Sequence, residues 1–367
     1  MEGSMQYIFI GIIVVLAIVV GILIYKIKGE SKESCPGTIL ISSGVGLIVS
    51  SFPSLSNRLI DLISACLHID FGSNSNEMYI SIGCGFVLII MGIFYNKNIK
   101  DRFYIFNMFS KDKIFIGQHP NYNDLKLVDF KIREHIVDIV RAFNEGKDMT
   151  LEKCNYIAEE IREKAECFLN QSKECNKGFT GMAPIPFTIL AGTFLSGTEI
   201  DRYFEYNMFN KRYYELKKSK IKKNKIQPLV VNQQVRDSNS KDVLVTLAIT
   251  IKPLDSDLIQ FNNMDSINIE MIEPKNNAIV YKQQLDLYTK QIVDELVNLS
   301  SLYPKLERIH LVAAIPSCIS IELGRLISKN RNRLPQIISY HYIRGNSPRY
   351  AFGIVITENE KGKLIEQ

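Results

Sequence analysis

The chain has 367 residues, 46% of them hydrophobic, and a formal net charge of +5. So small a positive excess excludes a general binder of polymeric nucleic acid and leaves room for a local basic pocket that takes a small anion. Seven cysteines without a C-x-x-C pair and five scattered histidines without an H-E-x-x-H spacing exclude a disulfide framework and point to no metal or other cofactor.

The N-terminal quarter is the most apolar. Tyr7 to Tyr25 is an uninterrupted run of about 19 residues and Met78 to Tyr95 one of about 18. At 1.5 Å per residue each reaches roughly 27 to 29 Å, against a hydrocarbon core of about 30 Å, so both are predicted to cross a membrane. The first run follows a segment without Lys or Arg and precedes Lys26 and Lys28, the pattern of a retained anchor and not of a cleaved signal peptide. Thr38 to Phe52, rich in Gly and Ser, is short, but flanking residues extend it to a third crossing over 38–56. Lys26, Lys28 and Lys32 follow the first run and Lys97, Lys100 and Arg102 the last. The positive-inside rule then predicts an odd number of crossings and a cytoplasmic C-terminal domain. With two crossings, Thr38 to Leu67 would instead be re-entrant or interfacial. Residues 1–102 are thus expected to be transmembrane α-helices, with the lipid bilayer as partner.

Further along, Lys113 to Gly117 reads as a short strand, and Asp129 to Asn144 as a helix with Ile132, Ile136, Ile139, Val140 and Phe143 on one face. A second helix opens at Thr150, an N-cap, with Cys154, Ile157, Ala158, Ile161, Ala165 and Phe168 facing the core. Gly178 to Gly197 is β-prone and interrupted by Pro184 and Pro186, which predicts a rigid turn within a strand pattern. Aromatic and basic residues then alternate from Arg202 to Tyr214. That alternation suits stacking on bases and pairing with phosphates, or equally a strand with rings inward and charges outward.

The lysine cluster from Lys217 to Lys225, followed by Pro228, marks a boundary that divides the soluble part into residues 103–225 and 226–367. It reads as a solvated loop or as a contact for anionic lipid or a phosphorylated ligand. Val243 to Ile251 is a buried strand and Tyr281 to Leu302 a helix with Leu285, Tyr288, Ile292, Leu296 and Leu299 inward. Ile309 to Ile315 is a strand, Pro316-Ser317-Cys318 a sharp turn, Ile319 to Ser328 a helix and Gln336 to Tyr342 a further strand, a Rossmann-type β-turn-α-β unit. Such a turn aims backbone N–H groups at the crevice, where Ser317 either caps the helix or donates to a phosphate. Neither G-x-G-x-x-G nor G-x-x-x-x-G-K-[ST] occurs, which disfavours a dinucleotide coenzyme or a nucleoside triphosphate.

Several of these segments resemble the SAVED sensor domain of bacterial cyclic-oligonucleotide-based antiphage signalling (CBASS). They are Gly178 to Pro186, Leu190 to Gly192, the Tyr203 to Tyr206 stretch, His310 to Ser317 through Arg325, Tyr340, and Tyr350 to Ile356. The resemblance implies an α/β domain of two fused Rossmann-like, CARF-like units with one cyclic di- or trinucleotide between them. Members often carry Trp after the first motif; this chain has none, and Tyr213 or Tyr214 is expected in its place. It also implies a functional link to a cyclic-oligonucleotide synthase and ligand-induced homo-oligomerisation. With the N-terminal runs, it predicts a non-enzymatic, multi-pass inner-membrane receptor that disrupts the membrane in abortive infection.

Phosphate contacts are expected at Ser317, Arg325, Arg344 and Lys211 or Arg212, beside Pro316. Base or ribose contacts are expected at the turn Pro184, Pro186 and Phe187 and at Tyr206 or Tyr342. Two rivals are a tethered ring nuclease, for which Ser317 with His310 or Glu322 is the nearest set, and a membrane scaffold sensing another small anion.

Overall fold

The computed structural model describes residues 36–50, 75–111, 115–143, 149–219, 226–357 and 360–366. Two compact units divide the chain, Met1–Asp101 and Arg102–Gln367.

In the first unit, helices α1 (Pro36–Ser50) and α2 (Ser75–Lys100) lie against each other. Gly37 faces Gly92 and Gly44 faces Gly85, so the helices are antiparallel, and a side chain at any of these positions would strike the opposite backbone. Ile41 and Ile89 fill the seam, while Ile39, Val87, Ile90, Met91 and Phe94 are exposed.

The expectation of transmembrane α-helices is overturned here. Among the described residues no helix is long and apolar enough to cross a membrane. Helix α1 has 15 residues and reaches about 22 Å, short of the roughly 30 Å of hydrocarbon. Helix α2 has 26 residues but opens on Ser-Asn-Glu and ends on Asn-Lys-Asn-Ile-Lys, so polar and charged residues occupy both of its ends. The run 7–25 lies outside the described residues. The transmembrane part of the expected fold class and the multi-pass inner-membrane location are overturned by this finding.

In the second unit the chain runs β1 (Arg102–Phe109), β2 (Lys131–Asp138), a helical turn at Val140–Phe143, α3 (Leu151–Gln171), β3 (Asn176–Met182), α4 (Ile185–Phe194), β4 (Arg202–Asn207) and β5 (Arg212–Glu215). It continues through β6 (Val230–Gln234), β7 (Asp242–Ala248), β8 (Asp265–Glu270), α5 (Lys282–Leu302), β9 (Arg308–Ala314), α6 (Ser317–Lys329), β10 (Gln336–His341), β11 (Phe352–Val355) and β12 (Leu364–Glu366). One sheet has the order β2-β1-β3-β4-β5, parallel except for β5; the other is β12-β11-β10-β9-β7-β8-β6, in which β8, β7, β9 and β10 are parallel. Both parallel cores therefore read second, first, third, fourth strand, the doubly wound order whose switch point lies between the first and third strands.

Local sequence explains the helices. The Thr150 hydroxyl accepts the Lys153 N–H at 3.3 Å and caps α3, whose face Cys154, Ile157, Ile161, Ala165 and Phe168 is buried. Helix α5 buries Leu285, Tyr288, Ile292, Leu296 and Leu299, and the Gln284 side chain accepts the Tyr281 N–H at 3.1 Å.

Three segments depart from expectation. The helix predicted over 129–144 is strand β2 along 131–138, because pairing with β1 in parallel register outweighs the helical spacing of its isoleucines. Lys113 to Gly117 is not a strand where described: Ile116–Gln118 is a 3-10 turn. In the expected strand-turn pattern of 178–197, the residues from Ile185 form helix α4. That helix is buried on nearly every side, so no polar stripe betrays its period.

Helices α4 and α6 cross in the middle of one continuous core. Gly192 and Gly324 meet at the crossing, where a Cβ on either would collide with the carbonyl oxygen of Ile321 or Ile189.

Candidate functional site

The third strand of each parallel core ends in the same turn. Pro184 precedes α4 and Pro316 precedes α6, 132 positions apart, and the spacing Pro-x3-[Ser/Thr]-x3-Gly recurs as Pro184-Thr188-Gly192 and Pro316-Ser320-Gly324. The Thr188 hydroxyl donates to the Pro184 carbonyl at 3.1 Å, and the Ser320 hydroxyl to the Pro316 carbonyl at 3.0 Å. This repeat, invisible to a reading that took each segment alone, was available in the sequence as a fixed offset.

The C-terminal strand edges of the two sheets adjoin through two contacts. Glu205 on β4 reaches the start of α6, where one carboxylate oxygen accepts the Ser317 hydroxyl at 2.9 Å and the Cys318 N–H at 2.5 Å. Phe143, beyond β2, meets the His341 ring at the end of β10 at 5.1 Å. In doubly wound sheets this edge, outside the carboxyl ends of the strands, is where ligands bind.

Of the candidate residues, four are buried, and a fifth, Ser317, is half-buried with its hydroxyl engaged inside the protein. Ser317 donates to Glu205, so the first turn of α6 is already satisfied by an internal carboxylate. Arg325 is 5% exposed and pairs with Glu322 while donating to the carbonyls of Leu195, at 3.2 Å, and Thr198. Its guanidinium ties α6 to the end of α4 instead of facing a phosphate. Pro184 and Pro186 are buried, as N-cap and second residue of α4, and the fully buried Phe187 ring packs on Phe143 at 6.1 Å. None of the three offers a side-chain face to a guest.

The others remain at the edge. Lys211 and Arg212 are exposed in the β4–β5 hairpin, whose tip also exposes Met208 and Phe209. The αL backbone of Lys211, φ 52°, turns the chain into β5, and Arg212 approaches Asp124 at 4.0 Å. Tyr206 is half-buried, in edge contact with Tyr213 at 5.1 Å and His119 at 5.9 Å. Tyr342 is 42% exposed and meets Tyr350 at 5.5 Å. Arg344 is exposed and Pro316 half-buried beside them. Of the lysine cluster, Lys220, Lys222, Lys223 and Lys225 lie outside the described residues, and Lys217 sits over the Tyr281 ring at 5.6 Å.

Burial sets the protonation chemistry. Desolvation raises the Glu205 pKa against the opposing hydrogen bonds of Cys318 and Ser317. Glu322 is also raised by burial, with the Arg325 charge pulling the other way, and the Tyr203 hydroxyl donates to the same carboxylate. His341 is held down to about 4 by burial alone.

His310, Ser317 and Glu322, the set a ring nuclease would need, do not converge. His310 lies near the start of β9, bonded to the Asp242 carboxylate at 3.0 Å and the Tyr340 hydroxyl at 2.8 Å. Ser317 is bonded to Glu205, and Glu322 to Arg325 and Tyr203. A cleft of about 660 Å³ opens elsewhere, between α3 and the β11–β12 turn, lined by Asn155, Arg162, Phe194 and Lys361 among others. None of the candidate site residues borders it.

Residues 160–356, more than half of the chain, match the family described as SMODS-associated and fused to various effectors sensor domain, SAVED. The chain belongs to the SAVED family. No curated protein matches its sequence. Among solved structures, this SAVED chain is similar to the Cap4 SAVED/CARF-domain containing receptor of Acinetobacter baumannii. The structure with the cyclic trinucleotide 2'3'3'-cAAA has 16% identity and TM-score 0.48, over 77% of this chain and 59% of that one. The structure with 3'3'3'-cAAA has 16% identity and TM-score 0.48, over 83% and 66%. A further structure of the receptor has 13% identity and TM-score 0.46, over 83% and 65%. The chain thus spans 59–66% of the length of these structures.

Sequence reasoning missed Glu205, His119 and Tyr350 as parts of this edge. Glu205 stood in the quoted Tyr203–Tyr206 stretch, and only the folded chain shows which helix it caps.

Proposed function

We propose that this SAVED protein is a receptor for a cyclic di- or trinucleotide second messenger of bacterial antiphage defence. The ligand lies across the adjoining C-terminal strand edges of the two sheets. The observation that carries this reading is the duplicated doubly wound unit within a SAVED chain, with strand ends of its two sheets joined through Glu205 and Phe143. Lys211, Arg212 and Arg344 supply positive charge for phosphates, and Tyr206 and Tyr342 supply ring faces for bases. Ser317 and Arg325 hold the two halves together and touch no ligand. Ligand-induced self-association and a partner synthase that makes the messenger complete the reading.

Thermal unfolding of the full chain against a panel of cyclic di- and trinucleotides, both cyclic tri-adenylate linkages included, tests it. A ligand at 100 times its Kd stabilises the native state by about 2.7 kcal/mol, a shift of several degrees. Arg212→Glu with Arg344→Glu should abolish the shift while leaving the unliganded Tm in place. Absence of a shift with every member would refute the reading.

A further inference from the structure

The repeat that relates the turns also relates the strands beside them. Thr180 pairs with Phe204 across β3 and β4, and Val312, the counterpart of Thr180 at the same 132-position offset, pairs with Tyr340 across β9 and β10. Phe204 and Tyr340 are therefore equivalent. Two positions on, so are Tyr206 and Tyr342, each where the fourth parallel strand reaches the C-terminal edge.

Their surroundings match as well. Tyr206 leans edge-on against Tyr213 at 5.1 Å and 66°, and Tyr342 leans on Tyr350 at 5.5 Å and 66°. Both inner rings are buried, Tyr213 at 5% and Tyr350 at 4% exposure, whereas both outer rings keep surface. Tyr206 packs in part on the small cluster around Tyr213, yet like Tyr342 it keeps accessible surface. A fixed inner ring holds the outer one in a single pose, so that stacking a base on it costs little further ordering. An exposed arginine stands close in sequence to each pair, Arg212 next to Tyr213 and Arg344 two positions after Tyr342.

We infer that Tyr206 and Tyr342 form two equivalent stacking subsites, one in each half, each taking one purine or pyrimidine base. Resting on the receptor reading, this means that one chain engages two bases of the same cyclic oligonucleotide.

The full-length chain is titrated with cyclic di-AMP, cyclic GMP–AMP and cyclic tri-AMP, and separately dialysed to equilibrium against millimolar AMP. Tyr206→Leu and Tyr342→Leu should each weaken the tightest cyclic ligand about 5- to 150-fold, the range expected for one stacked base. The double variant should lose about the product of the two, and Tyr206→Phe and Tyr342→Phe, which keep the ring, should bind as wild type. In dialysis each leucine variant should bind one AMP fewer per chain. A loss confined to one tyrosine, or phenylalanine variants as weak as the leucine ones, would overturn the pairing of subsites. If no cyclic ligand binds but the AMP stoichiometry falls stepwise, the receptor reading fails and the twin subsites stand; if neither is seen, both fail.

Discussion

The two halves of the α/β unit share strand order, a strand–helix turn and a glycine at the helix crossing, yet they finish that turn with different chemistry. In the second half the helix starts Ser317-Cys318, two residues with N–H groups to satisfy, and Glu205 arrives from the first half to accept from both residues. In the first half the helix starts Ile185-Pro186, and Pro186 has no N–H to offer. The position equivalent to Glu205 is His341, which packs its ring on Phe143 instead. The polar pair Glu322–Arg325 likewise has Leu190 and Thr193 as counterparts. A duplicated backbone plan thus leaves each half free to supply what the other lacks. Polar anchors are concentrated on α6 and apolar packing on α4.

The largest expected effect breaks what the halves share. Gly192→Val or Gly324→Val drives a side chain into the opposite helix backbone and should cost more than about 4 kcal/mol, read as failure to fold or loss of the urea transition, whereas Gly197→Ala, where a Cβ meets nothing, should change little.

The next expectation separates the halves. Arg325→Leu leaves Glu322 buried without its cation and should cost about 3–5 kcal/mol, while Thr193→Val at the equivalent place should cost about 1 kcal/mol through the hydroxyl bond to Leu190. Urea midpoints of the two variants measure that gap, and pairing Arg325→Leu with Glu322→Leu should recover much of the loss.

His341 provides a pH test. Unfolded, its imidazole takes a proton near pH 6.5; folded, only near 4, so between those values the unfolded chain binds more protons and stability falls as pH falls. Above 6.5 the ring is neutral in both states, and below 4 it is charged in both. The stability difference between wild type and His341→Phe should therefore change by at most about 3 kcal/mol between pH 7 and 4. A pH-independent difference would show that the ring is not shielded.

Glu205→Ala should cost about 1–3 kcal/mol by stranding the Ser317 hydroxyl and the Cys318 N–H, and Glu205→Gln, which still accepts, should cost less. Equal losses would mean that the charge at the helix start matters more than the hydrogen bonds.

Much of the α/β architecture was legible because its elements are long and periodic. Helices α3 and α5 announce themselves by caps and by one apolar stripe each, and β7, β9 and β10 by short apolar runs between turn residues. Strand β2 was not, since its isoleucines suit either period and the choice falls to the partner strand β1. Nor was α4, because burial on all sides removes the polar face that marks a helix.

The same division holds at the candidate site. Sequence by itself determined the Pro316-Ser317 turn before α6 and the strand that runs up to Tyr342, because turn chemistry and strand length are local properties, while for Arg202 to Tyr214 it left a stacking surface and a packed strand both open. Only the tertiary structure decided that Ser317 and Arg325 meet acceptors from the first half of the unit and that Tyr206 and Tyr342 are equivalent. Which acceptor a hydroxyl or a guanidinium meets depends on chain segments more than a hundred residues away, and no local pattern encodes that distance.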